Sequence, residues 1–209
     1  MLITRPEHDD VTYYLSKWSE KSISFAKSKG FQVLDLHKSK AIKKEFESYN
    51  SRNDVSFIVF NGHGGYDEIR GHNDEVIVSV GDNENQLKGR VIYAISCASA
   101  ENLGKRSIEA GAISYIGYTE DFLFIYDGNS TTKPLEDVEA GLFFRHSEAL
   151  MHSLIKGQSI SEAYEKSRQV LKDNYYSVLG SGDEGNDAAA FLYWDLINFK
   201  ALGDESARL

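Results

Sequence analysis

One thiol and one unusual imidazole are the residues best suited to covalent chemistry in this chain. Cys97 is the only cysteine, and His63 is the only histidine flanked by glycines, in Gly62-His63-Gly64-Gly65. Each follows a short apolar run, "VSFIVF" from Val55 before His63 and "RVIYAIS" from Arg90 before Cys97. A thiol whose proton is taken by a neighbouring imidazole becomes a nucleophile toward carbonyl carbon, and the product is an acyl-enzyme. Glycines beside the histidine suit the same chemistry, because Gly64 and Gly65 would let a substrate backbone approach and leave amide N–H groups available. The backbone N–H groups of Gly64 and Cys97 are then the expected donors to a developing oxyanion.

For the two side chains to meet, the runs that carry them must be neighbouring parallel strands, about 4.8 Å apart, with both residues at the carboxyl edge where open α/β sheets bind ligands. The rest of the chain fits that requirement. Short apolar runs alternate with helical periods, which is the pattern of an α/β fold around a mainly parallel sheet. Strand-like runs are "LIT" near Leu2, "FQVLDL" from Phe31, the two above, "AISYIGY" from Ala112 and "AAFLYWDLINF" from Ala189. The middle runs are apolar on both faces, as strands covered by helices on each side must be.

Helical spacing places a helix after Asp9 and Asp10, with Val11, Tyr14, Leu15 and Trp18 on one face and Gly30 as its stop. A second opens at Ser39, and a third begins directly after Cys97 and closes at Gly111. The positive end of that third helix would lower the thiol pKa. "LEDVEAGLFFRHSEALMHSLIKG" reads as a longer helix, and Ser159 with Glu162 forms a capping box for the next. Residues 66–88 contain "EVIVSV" without a helical period and read as a small β-hairpin inserted between the third and fourth main strands. Residues 118–135 and 177–187 read as surface loops.

Composition narrows the partners. A formal charge of -9 argues against a nucleic-acid surface, since that affinity comes from Lys and Arg neutralising phosphates. A single cysteine excludes an intramolecular disulfide and points to a cytoplasmic, thiol-maintaining setting. The N-terminus does not have the form of a signal peptide, and no apolar run approaches the roughly 20 residues of a membrane span. At 209 residues, 41% hydrophobic and 26% charged, the chain reads as one globular domain over residues 1–209.

The cores "FIVFNGHGG" and "VIYAISCAS" resemble the paired motifs of the caspase-like (clan CD) cysteine peptidases, which include caspases, metacaspases, legumain, separase, clostripain, gingipains and CHAT domains. "LGKRSIEAGAISYIGY", "GQSISEAYEKSR" and the terminal "AAFLYWDLINFKALGD" are similar to CHAT-type and gingipain-like sequences. The resemblance implies a three-layer α/β/α sandwich with a six-stranded sheet whose last strand is antiparallel, and hydrolysis of peptide bonds. It puts His63 in the position of the catalytic base, Cys97 in that of the nucleophile and Gly64 in that of an oxyanion donor. Two positions depart from the pattern: Ile95 stands where many relatives carry an acidic pocket residue, and Ser99 where many carry glycine. Glu120 and Asp121, in "GYTEDF", occupy the region where relatives line the pocket for the substrate residue before the scissile bond (P1), and would there pair with Arg or Lys. Solvation alone also explains two acidic loop residues on an acidic protein.

Other readings are weaker. Gly-His-Gly-Gly without a Gly-x-Ser-x-Gly elbow is not an α/β-hydrolase. "GSGDEG" from Gly180 matches a dinucleotide fingerprint only on paper, because acidic residues stand where phosphate would lie. His63, Asp67, His72 and Asp74 fit no zinc spacing, so no metal and no cofactor is expected, and histidines 8, 37, 146 and 152 read as surface or packing residues. The rival class is a catalytically silent caspase-like module that binds a partner, since one fold hosts many functions. The expected partner is a protein or peptide substrate, with regulation by a separate protein, a proenzyme cut or a metal.

Overall fold

The computed structural model describes residues 1–181 and 187–209. Its main sheet contains β1 (Leu2–Arg5), β2 (Leu34–His37), β3 (Phe57–Asn61), β7 (Val91–Ile95), β8 (Ser114–Tyr118) and β9 (Phe199–Gly203). Their order across the sheet is β2-β1-β3-β7-β8-β9, all parallel except β9, which runs antiparallel to β8. Around it lie α1 (Asp10–Ser28), α2 (Lys43–Arg52), α3 (Leu103–Glu109), α4 (Val138–Ile155), α5 (Ile160–Ser181) and α6 (Ala188–Asn198).

Period-two alternation in the central strands produces the three layers. Phe57 and Val59 of β3, with Val91, Tyr93 and Ile95 of β7, face a core shared with α1, α4, α5 and α6. Ile58 and Phe60, with Ile92 and Ala94, face the opposite core, closed by Phe46 of α2 and Leu103 of α3. Every residue of β3 and β7 is buried, which is why both are apolar throughout except for Asn61 at the end of β3. The α/β/α sandwich around a six-stranded, mainly parallel sheet therefore stands as expected.

Several local expectations do not. The second helix starts at Lys43, because residues Lys38–Lys40 form a 3₁₀ turn entered through Lys38 at φ 54°. The hairpin expected in residues 66–88, by contrast, is present as β5 (Glu68–Arg70) and β6 (Val76–Ser79), and β4 (Gly64–Gly65) extends it to a three-stranded antiparallel sheet that includes the glycines after His63. "AAFLYWDLINF" forms α6 for most of its length, and the sixth strand begins only at Phe199. Residues 177–181 continue α5, while positions 182–185 of "GSGDEG" lie outside the described residues. Among the described residues no helix is long and apolar enough to cross a membrane.

Candidate active site

β3 and β7 pair in register, with Asn61 opposite Ile95, so His63 and Cys97 each stand two residues beyond matched strand ends. Chain order departs from β1 in both directions across the sheet, to β2 on one side and β3 on the other, which makes the β1/β3 boundary the switch point where α/β sheets open a crevice. Asn61 ties that boundary together: its Nδ2 donates to the Thr4 carbonyl (2.9 Å) and its Oδ1 accepts from Ser19 of α1 (3.1 Å). The His63 carbonyl accepts from Ser96 Oγ (3.1 Å) and from the Arg70 amide (2.8 Å), which fixes the backbone below the ring. Gly64 is required here by packing, since a Cβ on it would lie 1.9 Å from Ser96 Oγ and 3.1 Å from the Cys97 carbonyl oxygen. Gly65, by contrast, faces open space.

The imidazole has a carboxylate partner that the sequence reading missed. His63 Nε2 lies 2.6 Å from Asp9 Oδ2. Asp9 is the N-cap of α1, and its Oδ1 accepts from the Thr12 amide (2.8 Å) and the Thr12 hydroxyl (2.7 Å). Partial burial opposes the charged carboxyl, but the hydrogen bonds from His63 and Thr12 outweigh it and hold the Asp9 pKa down at about 2. An ionised carboxylate only accepts, so Nε2 is the donor in this pair, and in the neutral tautomer that makes it the lone pair lies on Nδ1. The capping signal at Asp9 was readable; its second partner, 54 residues away, was not.

Cys97 meets different surroundings from those expected. α3 does not begin after the thiol but at Leu103, and residues between them form turns. Ala98 sits at φ 52°, a left-handed conformation that costs a non-glycine residue about 1 kcal/mol. Its N–H is bound to the Glu120 carbonyl (2.9 Å) and that of Ala100 to the Tyr118 carbonyl (2.9 Å), so neither is free and no helix dipole points at the sulfur. Burial pushes the thiol pKa up to about 11; the Phe122 backbone N–H opposes this and the Asp121 charge adds to it. Among the described residues no hydrogen bond joins Sγ to the His63 ring, although the backbone brings both residues to one sheet edge. In the substrate-free protein the thiol is therefore neutral at pH 7. Iodoacetamide labelling of Cys97 is expected to be slower than that of a free thiol at about pH 7.5, and to keep rising with pH past the ordinary thiol value of about 8.5. A plateau below that value would refute the buried, neutral thiol.

Three solved structures have a fold similar to that of this chain. The Arg-specific cysteine proteinase gingipain R superposes on 92% of this chain and 42% of its own, with TM-score 0.57 and 12% identity. The complex of Porphyromonas gingivalis RgpB pro- and mature domains covers 100% of this chain and 48% of that one, with TM-score 0.62 and 10% identity. The fold is caspase-like. A third structure, described as a protease, gives TM-score 0.55 and 16% identity over 100% of this chain and 47% of its own. This chain thus spans less than half the length of the solved chains it matches. No protein-family model and no curated protein matches the sequence.

Within this caspase-like fold, the loop after β8 runs directly beside Cys97. Trp194 Nε1 donates to the Asp121 carbonyl (2.9 Å) and the Leu123 amide donates to Asp195 Oδ1 (3.0 Å), so α6 anchors the segment that covers the thiol. Glu120 is half-buried with Tyr66 Oη 3.4 Å from its Oε2, and the Asp121 side chain is exposed. Both acids lie on the rim nearest Cys97, whereas Ile95 is buried in the core. A cleft of about 560 Å³ between Asn50 and Arg90 lies at the amino edge of the caspase-like sheet, away from this chemistry. His37 is paired with Glu7 (2.7 Å), His152 packs on Phe25 and His146 is fully buried, as surface or packing residues should be. His8 is different, and sits 5.9 Å from His63, ring centre to ring centre.

Proposed function

We propose that this chain is a cysteine endopeptidase in which Cys97 attacks the peptide carbonyl and His63 is the general base and then the general acid. The observation that carries the reading is the His63–Asp9 hydrogen bond at the β1/β3 switch point, because it engages Nε2 and leaves Nδ1 without that partner on a residue at the sheet edge that also holds Cys97. With the thiol neutral at rest, substrate must complete the site: the carbonyl enters, Nδ1 takes the thiol proton, and the sulfur bonds to the carbonyl carbon. The tetrahedral oxyanion is stabilised by backbone N–H groups, for which Gly64 and Cys97 are the proposed donors. Collapse breaks the C–N bond, the leaving amine takes the proton from His63, and water, deprotonated by the same nitrogen, hydrolyses the thioester. Asp9 is a positioning residue that holds the ring and stabilises the imidazolium.

Glu120 and Asp121 are proposed to favour Arg or Lys at P1, a reading supported by their place on the rim and by the Arg specificity named for gingipain R. A panel of fluorogenic peptides tests it: Arg and Lys at P1 should be turned over by the wild type and not by Cys97→Ala. Faster cleavage after Asp or Asn would sink the P1 assignment. Absence of any Cys97-dependent cleavage, in peptides or in new N-termini across a proteome, would sink the peptidase. The second reading, a silent caspase-like module, is favoured by one observation, the thiol pKa raised to about 11 without a bond to the imidazole. The same panel separates the two.

A further inference from the structure

The turn after β1 and the turn before β6 place two more donors beside His63. His8, His63 and Asp74 each offer one ligand atom, and all three atoms lie within 4.8 Å of one another. His8 Nε2 is 3.5 Å from Asp74 Oδ1 and 3.7 Å from Asp9 Oδ2. Both ring nitrogens of His8 are shielded from solvent and neither makes a hydrogen bond. Burying a polar atom without a hydrogen bond is unfavourable by roughly 1–3 kcal/mol, and a ligand at one of these nitrogens removes part of that penalty. Asp74 is held toward His8 by a turn in which Asn73 (φ 53°) and Asp74 (φ 58°) both adopt the left-handed conformation, pinned by the His72 amide on the Ala41 carbonyl (2.8 Å).

We propose that His8, His63 and Asp74 form a binding site for a divalent cation of the zinc class, and that the bound cation inhibits the peptidase. Two imidazoles and one carboxylate are a zinc-type donor set; calcium and magnesium prefer oxygen alone. Bonds of about 2.0–2.2 Å put tetrahedral ligand atoms roughly 3.4 Å apart. The His8–Asp74 separation already matches, and side-chain rotation closes the rest. The fourth position is left to solvent.

The inhibitory part rests on the proposed role of His63. Asp9 Oδ2 links the Nε2 edge of His63 to His8, so the cation takes Nε2 and displaces the hydrogen bond to Asp9. A neutral imidazole bound through Nε2 carries its proton on Nδ1. The proton leaves Nε2 and one is gained at Nδ1, with no net release, and the nitrogen that should accept the thiol proton becomes a donor. The sequence argued against a metal from the spacing of His63, Asp67, His72 and Asp74. Asp67 is in fact engaged by Asn102 Nδ2 (2.5 Å), and the fold substitutes His8, which arrives from 55 residues upstream of His63.

Calorimetric titration of zinc chloride into the full chain tests the site without any assay of activity. One zinc per chain is expected in the wild type and in Cys97→Ala, with affinity at least tenfold weaker in His8→Ala and in Asp74→Asn. Two variants are used so that one poorly folded protein does not decide the matter. Zinc that binds nowhere in the wild type, or that is lost in Cys97→Ala and kept in His8→Ala and Asp74→Asn, would overturn the proposal in favour of no site or of a thiolate site. In the peptidase assay, the ratio of zinc-free to zinc-inhibited rate should fall about tenfold in Asp74→Asn. Zinc that occupies the site yet leaves turnover intact refutes the inhibitory role. If the chain cleaves no peptide at all, the catalytic reading fails while the titration still decides the metal site.

Discussion

His63→Ala is expected to lower kcat/KM for the best peptide by about four orders of magnitude, and Asp9→Ala by about two to three. The larger loss follows from the state of the thiol. With a pKa of about 11, Cys97 holds almost no thiolate at neutral pH, so the reaction cannot proceed on a preformed ion pair and depends on proton transfer within the substrate complex. In the proposed mechanism His63 Nδ1 accepts that proton, so its removal removes the step. Asp9 acts at one remove. Its Oδ2 fixes the Nε2–H tautomer and stabilises the imidazolium, but 40% of its side chain is exposed, so water replaces part of the interaction and the loss is smaller than for a buried carboxylate.

Asp9 also caps α1, and loss of a cap destabilises by about 1 kcal/mol, so Asp9→Ala alone confuses two effects. Asp9→Asn separates them. Asparagine is as good an N-cap as aspartate, but with its one carbonyl oxygen accepting from Thr12 its NH2 group faces Nε2, which favours the tautomer with the proton on Nδ1, and it carries no charge to stabilise the imidazolium. The expected outcome is unfolding by urea at the wild-type midpoint, with kcat lowered about tenfold or more and KM little changed. Wild-type kcat in Asp9→Asn would show that the pair only caps the helix.

Kinds of contact in this fold differ in how legible they are in the sequence. Strand cores were legible because burial on both faces forces continuous apolar runs: Phe57 to Phe60 and Val91 to Ile95 leave no polar face to place in water. The same rule misled at "AAFLYWDLINF". An apolar run of that length is ambiguous between strand and helix, and here its 11-residue length was the better guide: Ala188, Leu192 and Asp195 point inward at helical spacing while Tyr193, Trp194 and Ile197 remain exposed. The stretch after Cys97 failed for another reason. Ser99, Asn102 and the following apolar period suggest a helix from composition, but the Ala98 and Ala100 amides are taken by the neighbouring β8 strand and its loop, and only at Leu103 is the backbone free to coil. Asp9 and His8 were invisible as site residues because their partners come from a different strand end, and no local pattern encodes a contact that only sheet order creates.

Lowering the pH from about 7 to 4 is expected to remove about 3 kcal/mol of stability through one residue remote from the site, His146. It is fully buried in α4, with Nε2 2.5 Å from the Tyr118 hydroxyl and Nδ1 bound to the Phe143 carbonyl. Burial lowers its pKa from 6.5 to about 4, against a smaller opposing effect of the Phe143 hydrogen bond. The Tyr118 hydroxyl supplies a proton to Nε2 and Phe143 accepts the one on Nδ1, so the neutral ring is satisfied and a second proton has nowhere to go. In the unfolded chain the ring binds a proton near pH 6.5, whereas the folded protein resists until about pH 4. Between those values the unfolded state holds more protons. Stability is thus fully present above about 6.5 and falls as the pH drops through that window, by about 1.4 kcal/mol per pH unit at most.

The measurement is urea unfolding at a series of pH values for wild type and His146→Gln, whose side-chain oxygen can accept from Tyr118 without titrating. Asp195, whose carboxyl burial pushes well above its ordinary range, works in the opposite direction, losing stability as pH rises, and is present in both proteins. The exposed carboxylates are common to both as well, so the difference between the two stabilities isolates His146. That difference should shrink by about 3 kcal/mol, in favour of the variant, between pH 7 and 4. A difference that stays constant across the window would mean that the buried ring accepts its second proton without cost. The packing of Tyr118, Phe122 and Phe199 around it would then have to admit a charge.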